Sequence, residues 1–589
     1  MSDRSVDSTV DVQAIERAVT AHFSRIMRWA VPLGVAVLAV TLVVATLPSQ
    51  DSLQTATGAT EQFSASSGES SATAGSNAGA ASNIASRNGN ASTSQGGLTD
   101  EGSADPTGPA GADGGSSAAP AVASGTAKSG VQCGEGVRQV AWSKYAPSCA
   151  GEFGGDNGGA TAHGVTDETI KIVIGFGNAA ANSAVQSLAG PATPNDQEWA
   201  DTVEKYADFF NTQYETYGRE VVVETYQMKS DYILADMGRD TAAAQADAQT
   251  AKNMGAFIDL TALTNTSSLP YGNALADLGV ISWSFPLRTA EDYQRRAPHM
   301  YNFLPDGTKW ARWATSFVCQ RMAGMPAIHA GGAEEGKPRK FGVIKVNIPE
   351  WKEAGDLTAS MLRNECGVDP VELTYEFDLG TFSQYGASMM AQMQSEDVTT
   401  ILCVCDPLGP IFMTDSATDS EYFPEWLFHN QGIVDSNYNS EQLAHSFSNG
   451  PALPPATETE AFRVFRMAYP GEDPPSRPYF GWIYGIMLQV FGAIQTAGPD
   501  LTPVTFYNGM ASLPPSLPGG DYGPWFGDAS FPYGGTFTPW TAAQVTRWRF
   551  DAPSPDGSSS GYWAPCTGQE YYPFTPSEGW GPANTQLTC

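Results

Sequence analysis

The sequence predicts an α/β protein of two successive strand–helix units, carried behind an apolar N-terminal segment and a low-complexity tether. Three observations lead there. Short apolar strands alternate with amphipathic helices from Ile170 to Ser284, and the rhythm restarts at Lys340. Residues 51–130 are nearly all Ser, Ala, Gly, Thr and Asn, and Trp29–Leu47 carries no charge. Strands alternating with helices imply parallel sheets with helices on both faces.

The N-terminal region reads as a membrane anchor. WAVPLGVAVLAVTLVVATL (29–47) is just long enough to span a bilayer as a helix, and Arg17, Arg25 and Arg28 precede it. The positive-inside rule keeps residues 1–28 in the cytoplasm and places everything after Leu47 outside. A cleaved signal peptide is the competing reading. The segment before the apolar run is long for one, however, and no small-x-small site closes it. Residues 51–130 have too little apolar surface to offset their ordering entropy and are expected to be disordered. As a coil they reach roughly 50 Å, a tether for the folded part, 131–589.

Within the folded part, Ile170-Lys-Ile-Val-Ile174 reads as a short buried strand that we place at a sheet edge, followed at once by Gly175-Phe-Gly-Asn-Ala-Ala180. Asn195 and Glu198 form a capping-box start for a helix whose Trp199, Val203, Tyr206, Ala207, Phe210, Tyr214 and Tyr217 share one face. EVVVETY, AFIDL and VISWS continue as strands, with helices over DTAAAQADAQTAKNMG and NALADLG between them. Lys309–Gly324 is a long helix. KFGVIKV, VELTYEF, TTILCVC and EWLFHN are the second unit's strands. Arg477–Gly498 is apolar almost all round, but its glycines and Gln489 suit a buried helix better than a membrane span. The aromatic, Pro- and Gly-rich tail reads as turns and short strands closing the second unit.

Several function classes are disfavoured. With 31 Lys+Arg against 63 Asp+Glu, a net charge of −32 repels nucleic acid. G-x-G-x-x-A after the first strand is the spacing of a dinucleotide loop. No helix is expected to begin inside it, because ANSAVQSLAGPATP intervenes, and the second strand supplies no acidic residue at the right distance. Six scattered histidines form no zinc signature. His429, after a strand, is the one placed where ligands commonly bind, and a structural role is its expected one. No P-loop or calcium loop appears. No catalytic residue, metal or cofactor is therefore expected.

The eight cysteines read as structural in an oxidising compartment. Cys133 and Cys149 flank a loop at the start of the folded part, and Cys566 and Cys589 do so at its end. Cys319 and Cys366 end two helices flanking one strand, and Cys403 and Cys405 share a strand face. Local pairing is expected; a bridge between Cys403 and Cys405 is strained within one strand, and a redox or metal CxC is its minor alternative.

GVTDETIKI, RKFGVIKVN, DPLGPIFMTDSATDSEYFPEW and RPYFGWIYGIMLQVFGAIQTAG resemble, in order and spacing, the type I periplasmic-binding proteins. The likeness is to the Leu/Ile/Val-binding-protein-like receptors of ABC importers, and it covers about 164–551. It implies two Rossmann-like lobes joined by three crossings, with a hinge and a central cleft that closes on a ligand. Lobe one then lies mainly in 164–310 and lobe two mainly in 311–475, the C-terminal part crossing back. The last two quoted motifs correspond to second-lobe units.

By position, the implied ligand contacts are Asn178, Thr264, Asn265, Thr266, Trp283 and Ser284 in lobe one. In lobe two they are Trp351, Asp406, Asn430 and Gln431. Amino-acid binders of this family have an acidic residue near the end of a lobe-two strand, where this chain reads His429-Asn430-Gln431. Asp406 is the substitute that could answer an ammonium. The implied partners are a small polar solute (an amino acid, amide or related molecule), ABC permease subunits, and the membrane through the N-terminal helix. A surface sensor or scaffold on the same fold is the alternative, and an extracellular hydrolase the third reading.

Overall fold

β-Branched residues dominate TIKIVIGF, and the segment forms a strand buried through its centre. The computed structural model describes residues 124–189, 195–264, 267–284, 287–302, 304–429, 437–450, 457, 459–476, 480–513, 537–538, 542–553, 560–566, 572–573 and Cys589. The proposed anchor and tether lie outside them.

The first lobe runs β1 (Thr169–Phe176), α1 (Ala179–Ala189), α2 (Asp196–Asn211), β2 (Glu220–Gln227), α3 (Tyr232–Asp236), α4 (Thr241–Asn253), β3 (Ile258–Asp259), α5 (Leu269–Asp277), β4 (Ile281–Trp283), α6 (Ala290–Arg295) and β5 (Met300–Tyr301). The second runs α7 (Gly307–Phe317), β6 (Phe341–Val346), α8 (Pro349–Cys366), β7 (Val371–Tyr375), α9 (Phe382–Ser395), β8 (Thr400–Val404), α10 (Gly409–Asp419), β9 (Glu425–Phe428), α11 (Ser440–Leu443) and β10 (Ser446–Gly450). Helices α12 (Glu460–Ala468), α13 (Phe480–Ala497) and α14 (Pro503–Ala511) follow, then β11 (Ala542–Pro553), β12 (Ser560–Pro565) and β13 (Tyr572–Pro573).

The first sheet has the order β2-β1-β3-β4-β5 and is parallel throughout. The second repeats that winding as β7-β6-β8-β9-β10, then adds β11 and β12 antiparallel, with β13 on β11. The tail thus closes the second sheet as its composition suggested. β1 is not an edge strand: β2 and β3 flank it, because the strand order reverses beside it. Open α/β sheets of this kind hold ligands in the crevice at the carboxyl ends of their strands, where the order reverses.

Two local expectations change. Residues 179–189 are helical, so a helix does begin at the glycine loop. The Asn178 carboxamide oxygen accepts from the Ala180 amide at 2.9 Å, and the Ala-rich run propagates the turn. The capping box is present as read: the Glu198 amide donates to Asn195 Oδ1 and the Asn195 amide to Glu198 Oε2, both at 3.0 Å.

The second change concerns α13. It does not belong to the second lobe's core but packs into the first, against Trp199, Val203, Tyr206 and Phe210 of α2. The Phe210 and Phe491 rings meet edge to face at 5.4 Å. The chain therefore crosses between lobes after β5, after β10 and after α14. Residues 480–495 are buried on every side, which explains the all-round apolarity of this helix. Among the described residues, no helix is long and apolar enough to cross a membrane.

All four cysteine pairs are bridged: Cys133–Cys149, Cys319–Cys366, Cys403–Cys405 and Cys566–Cys589.

Candidate functional site

The loops at the carboxyl ends of the two sheets meet each other. Ala181 of α1 and Tyr232 and Ile233 of α3 form one apolar cluster with Phe377 and Leu379, which follow β7. Leu269, at the start of α5, is buried with Ile348 and Tyr375 of the second lobe. Arg239 reaches Asp378 at 3.2 Å, Asn273 Nδ2 donates to Glu350 Oε1 at 3.5 Å, and Arg288 Nη1 lies 3.6 Å from the same oxygen. The lobes are therefore in contact across the crevice, a closed cleft.

Arg288 is the electrostatic centre of this junction. It follows β4, and its side chain is fully buried. Nη1 donates to Asp292 Oδ2 at 2.6 Å and Nε to Ser284 Oγ at 3.3 Å. Nη2 has no partner. Burial opposes ionisation of Asp292, but Arg288, Arg295 and Arg296 outweigh it and hold the carboxyl below its usual range. Glu350, in the first turn of α8, brings the second lobe to this cation.

Asp236, at the end of α3, sits beside the same junction and accepts from the Leu269 amide at 2.7 Å. Burial pushes its carboxyl up to about 7; Arg288 opposes the rise and Glu350 adds to it. If opening the cleft returns Asp236 to its ordinary value near 4, the group is neutral in both forms below that pH and ionised in both above about 7. Closure is then favoured at low pH and weakens as pH rises through that window, by at most about tenfold per unit. Asp236→Asn should flatten the dependence, as measured by distances between spin labels on the two lobes at pH 5 and pH 8. An unchanged slope would remove Asp236 as its source.

The glycine loop is not a phosphate cradle, although the reason differs from the one read in the sequence. A protein carboxylate already occupies its donors: Asp196 Oδ2 accepts from the Gly177 amide at 2.7 Å and from Asn182 Nδ2 at 2.9 Å. Burial raises the Asp196 carboxyl above its usual range. Gly175 belongs to β1 rather than to a turn, and a Cβ there would meet Met228 at 2.8 Å.

The implied contacts separate as follows. Asn178 caps α1 and donates to the Lys229 carbonyl at 3.4 Å. Thr264 is buried, its hydroxyl donating to the Thr261 carbonyl at 2.8 Å. Trp283 faces the first lobe's core, stacked on Tyr301 with centroids 5.2 Å apart, because strand alternation sends Ile281 and Trp283 inward together. Ser284 supports Arg288. Trp351 is half-buried between the two cores of the second lobe, and its Nε1 has no partner.

Asp406 is wholly buried and committed to the protein. Oδ1 accepts from the Leu408 and Gly409 amides at 2.8 and 2.9 Å at the start of α10, and Oδ2 accepts from the Tyr375 hydroxyl. Its carboxyl is raised by burial. Asn265, Thr266, Asn430 and Gln431 lie outside the described residues.

Sequence reasoning missed Arg288, Asp236 and Glu350, which no motif marks. It had noticed His429 without counting it a contact. His429 directly follows β9 with Nε2 unpartnered, and burial lowers its imidazole to about 3, so it is neutral. Its ring lies 6.3 Å from that of Trp310, whose Nε1 also lacks a partner.

No protein-family model matches the chain, and no curated protein matches it. Among solved structures it is similar to a leucine-, isoleucine-, valine-, threonine- and alanine-binding protein from Brucella ovis in its closed conformation. That match has 14% identity and a TM-score of 0.48, covering 72% of this chain and 98% of that one. It is also similar to a fatty acid ABC transporter substrate-binding protein from Thermomonospora curvata, at 14% identity, TM-score 0.46, and 72% and 97% coverage. A third similar structure is a type 1 periplasmic-binding protein from Bordetella pertussis, at 14% identity, TM-score 0.46, and 68% and 100% coverage.

Proposed function

We propose that this protein is an extracytoplasmic solute-binding protein, tethered to the membrane by residues 29–47, that captures a small polar solute by lobe closure and delivers it to an ABC permease. The observation that carries this reading is the meeting of two identically wound sheets at their carboxyl ends, across three chain crossings. Three crossings permit a hinge motion while keeping the lobes in register. The two sheets share no strand pairing and the junction is bridged through side chains, so opening breaks no sheet hydrogen bond. The acidic surface and the disulfides suit an exported domain.

The test is a thermal-shift screen of the full chain against amino acids, amides, urea, short acids and sugars. A ligand at a hundredfold excess over its Kd stabilises by about 2.7 kcal/mol, enough for a clear rise in Tm. A saturable rise with one class is the expected result. No shift with any class would overturn the solute-binding reading.

A further inference from the structure

Among the buried polar groups left unsatisfied around the closed junction nitrogens predominate; the carboxamide oxygen of Asn273, whose Nδ2 donates to Glu350, is also unsatisfied. Arg288 Nη2, Trp351 Nε1, Trp310 Nε1 and His429 Nε2 have no hydrogen-bond partner. They gather around the start of α7. The Gly307 amide donates to the Arg288 carbonyl at 2.6 Å, Trp310 lies one turn further along, and Leu287 and Trp310 share a core on which Trp351 packs. His429 faces Trp310. Arg288 and Trp310 are completely buried, and His429 is 7% exposed. Leaving such donors unpaired away from water is costly, so a ligand that completes them gains what the protein alone forgoes.

The carboxylates nearby are by contrast all engaged. Asp292 accepts from Arg288, Arg295 and Arg296. Asp306 accepts from the Lys309 amide at 2.8 Å and the Thr538 hydroxyl at 2.9 Å. Asp406 caps α10, and Asp236 holds the Leu269 amide. Glu350 is shared between Asn273 and Arg288. An ammonium group entering here would meet carboxylates that each already have a protein partner, Glu350 being held through Oε1 at 3.5 and 3.6 Å, whereas an acceptor would find several open donors.

We propose that the closed cleft recognises an organic carboxylate without an α-ammonium group, and that Arg288 is its anchoring cation. A guanidinium presents its donors in a planar fork that matches a carboxylate, and the Glu350 contact engages Nη1 while leaving Nη2 available. The Trp310 and Trp351 indoles offer N–H donors and apolar surface for the acid's body. Leu269, Phe377 and Leu379 close the cleft with further apolar surface. This inference rests on the solute-binding reading and names the solute class for its cleft.

Calorimetry on the full chain with matched probes tests it. 4-Methylpentanoate, leucine and 4-methylpentanamide share one carbon skeleton; 3-phenylpropanoate, phenylalanine and 3-phenylpropanamide share another. In at least one set, the plain acid should bind tenfold or more tightly than both its amino-acid and amide counterparts. Trp351→Phe, which keeps an aromatic ring, though a smaller one, and removes the N–H, should weaken the best acid several-fold, and Arg288→Gln should abolish its binding if the variant folds.

Tighter binding of the amino acid or the amide overturns the inference and leaves the solute-binding reading intact, as does a folded Arg288→Gln variant that binds the acid unchanged. If no acid binds while a sugar or urea raises the Tm, the inference again falls alone. If no probe of any class binds, both fall. Should Arg288→Gln fail to fold, the matched probes and Trp351→Phe decide the matter.

Discussion

Replacing Arg339 by Met is expected to destabilise the second lobe by about 3–5 kcal/mol. The Arg339 guanidinium grips Glu425 through two bonds, Nε to Oε2 and Nη2 to Oε1, both at 2.8 Å. Side-chain exposure at the pair is 2% and 0%, so neither group has water to fall back on. The carboxylate also takes the Thr400 hydroxyl at 2.7 Å and the His329 amide at 3.1 Å, which ties β8, β9 and the segment before β6 together. Removing the cation leaves an uncompensated buried charge at the first residue of β9. Urea unfolding should show the loss as a lower midpoint, with part of it restored by adding Glu425→Gln. A change below about 1 kcal/mol, the range of an exposed pair, would mean the site is hydrated.

Trp482→Ala should cost about 3–5 kcal/mol and lower the Tm of the first lobe. Trp482 is completely buried in α13, within the core formed by α2 and the first sheet. Its removal opens a cavity that close-packed neighbours refill only partly. The same substitution on a helix outside that core would cost under about 1 kcal/mol, as for a typical surface site. Thermal unfolding therefore also tests the lobe to which this late segment belongs.

The fold class was legible because it is written in local patterns. The apolar runs of β1, β6 and β8 are β-branched or aliphatic, and the helix faces of α2 and α9 repeat at helical spacing. Asn195 and Glu198 announce a helix start within a few residues of chain. Cysteine pairing followed the same logic, since each pair belongs to neighbouring or flanking elements. Helix α1 was misread because Gly190, Pro191 and Pro194 suggest a loop, whereas they only follow its end. A helix capped by Asn178 and rich in Ala lacks the strong amphipathic stripe that a pattern reading looks for.

The site was less legible. Asp406 and Trp283 hold the strand-end positions that a ligand contact needs, but position says nothing of direction. Trp283 follows its strand's alternation into the core, and Asp406 turns back to cap a helix. Arg288, Asp236 and Glu350 are far apart in sequence and carry no motif; the folding of the first lobe brings Asp236 to Arg288, and only the approach of the second lobe adds Glu350.

By itself, the sequence determined the alternation of strands and helices, the restart that makes two units, and an acidity that disfavours a nucleic-acid partner. It also paired the cysteines, because all of these depend on periodicity, charge or short-range chain geometry. Tertiary structure decided which lobe owns α13, that β1 lies inside its sheet, and which polar groups at the cleft are spent and which are left over. Those outcomes depend on contacts between segments tens to hundreds of residues apart, whose energies no local pattern records.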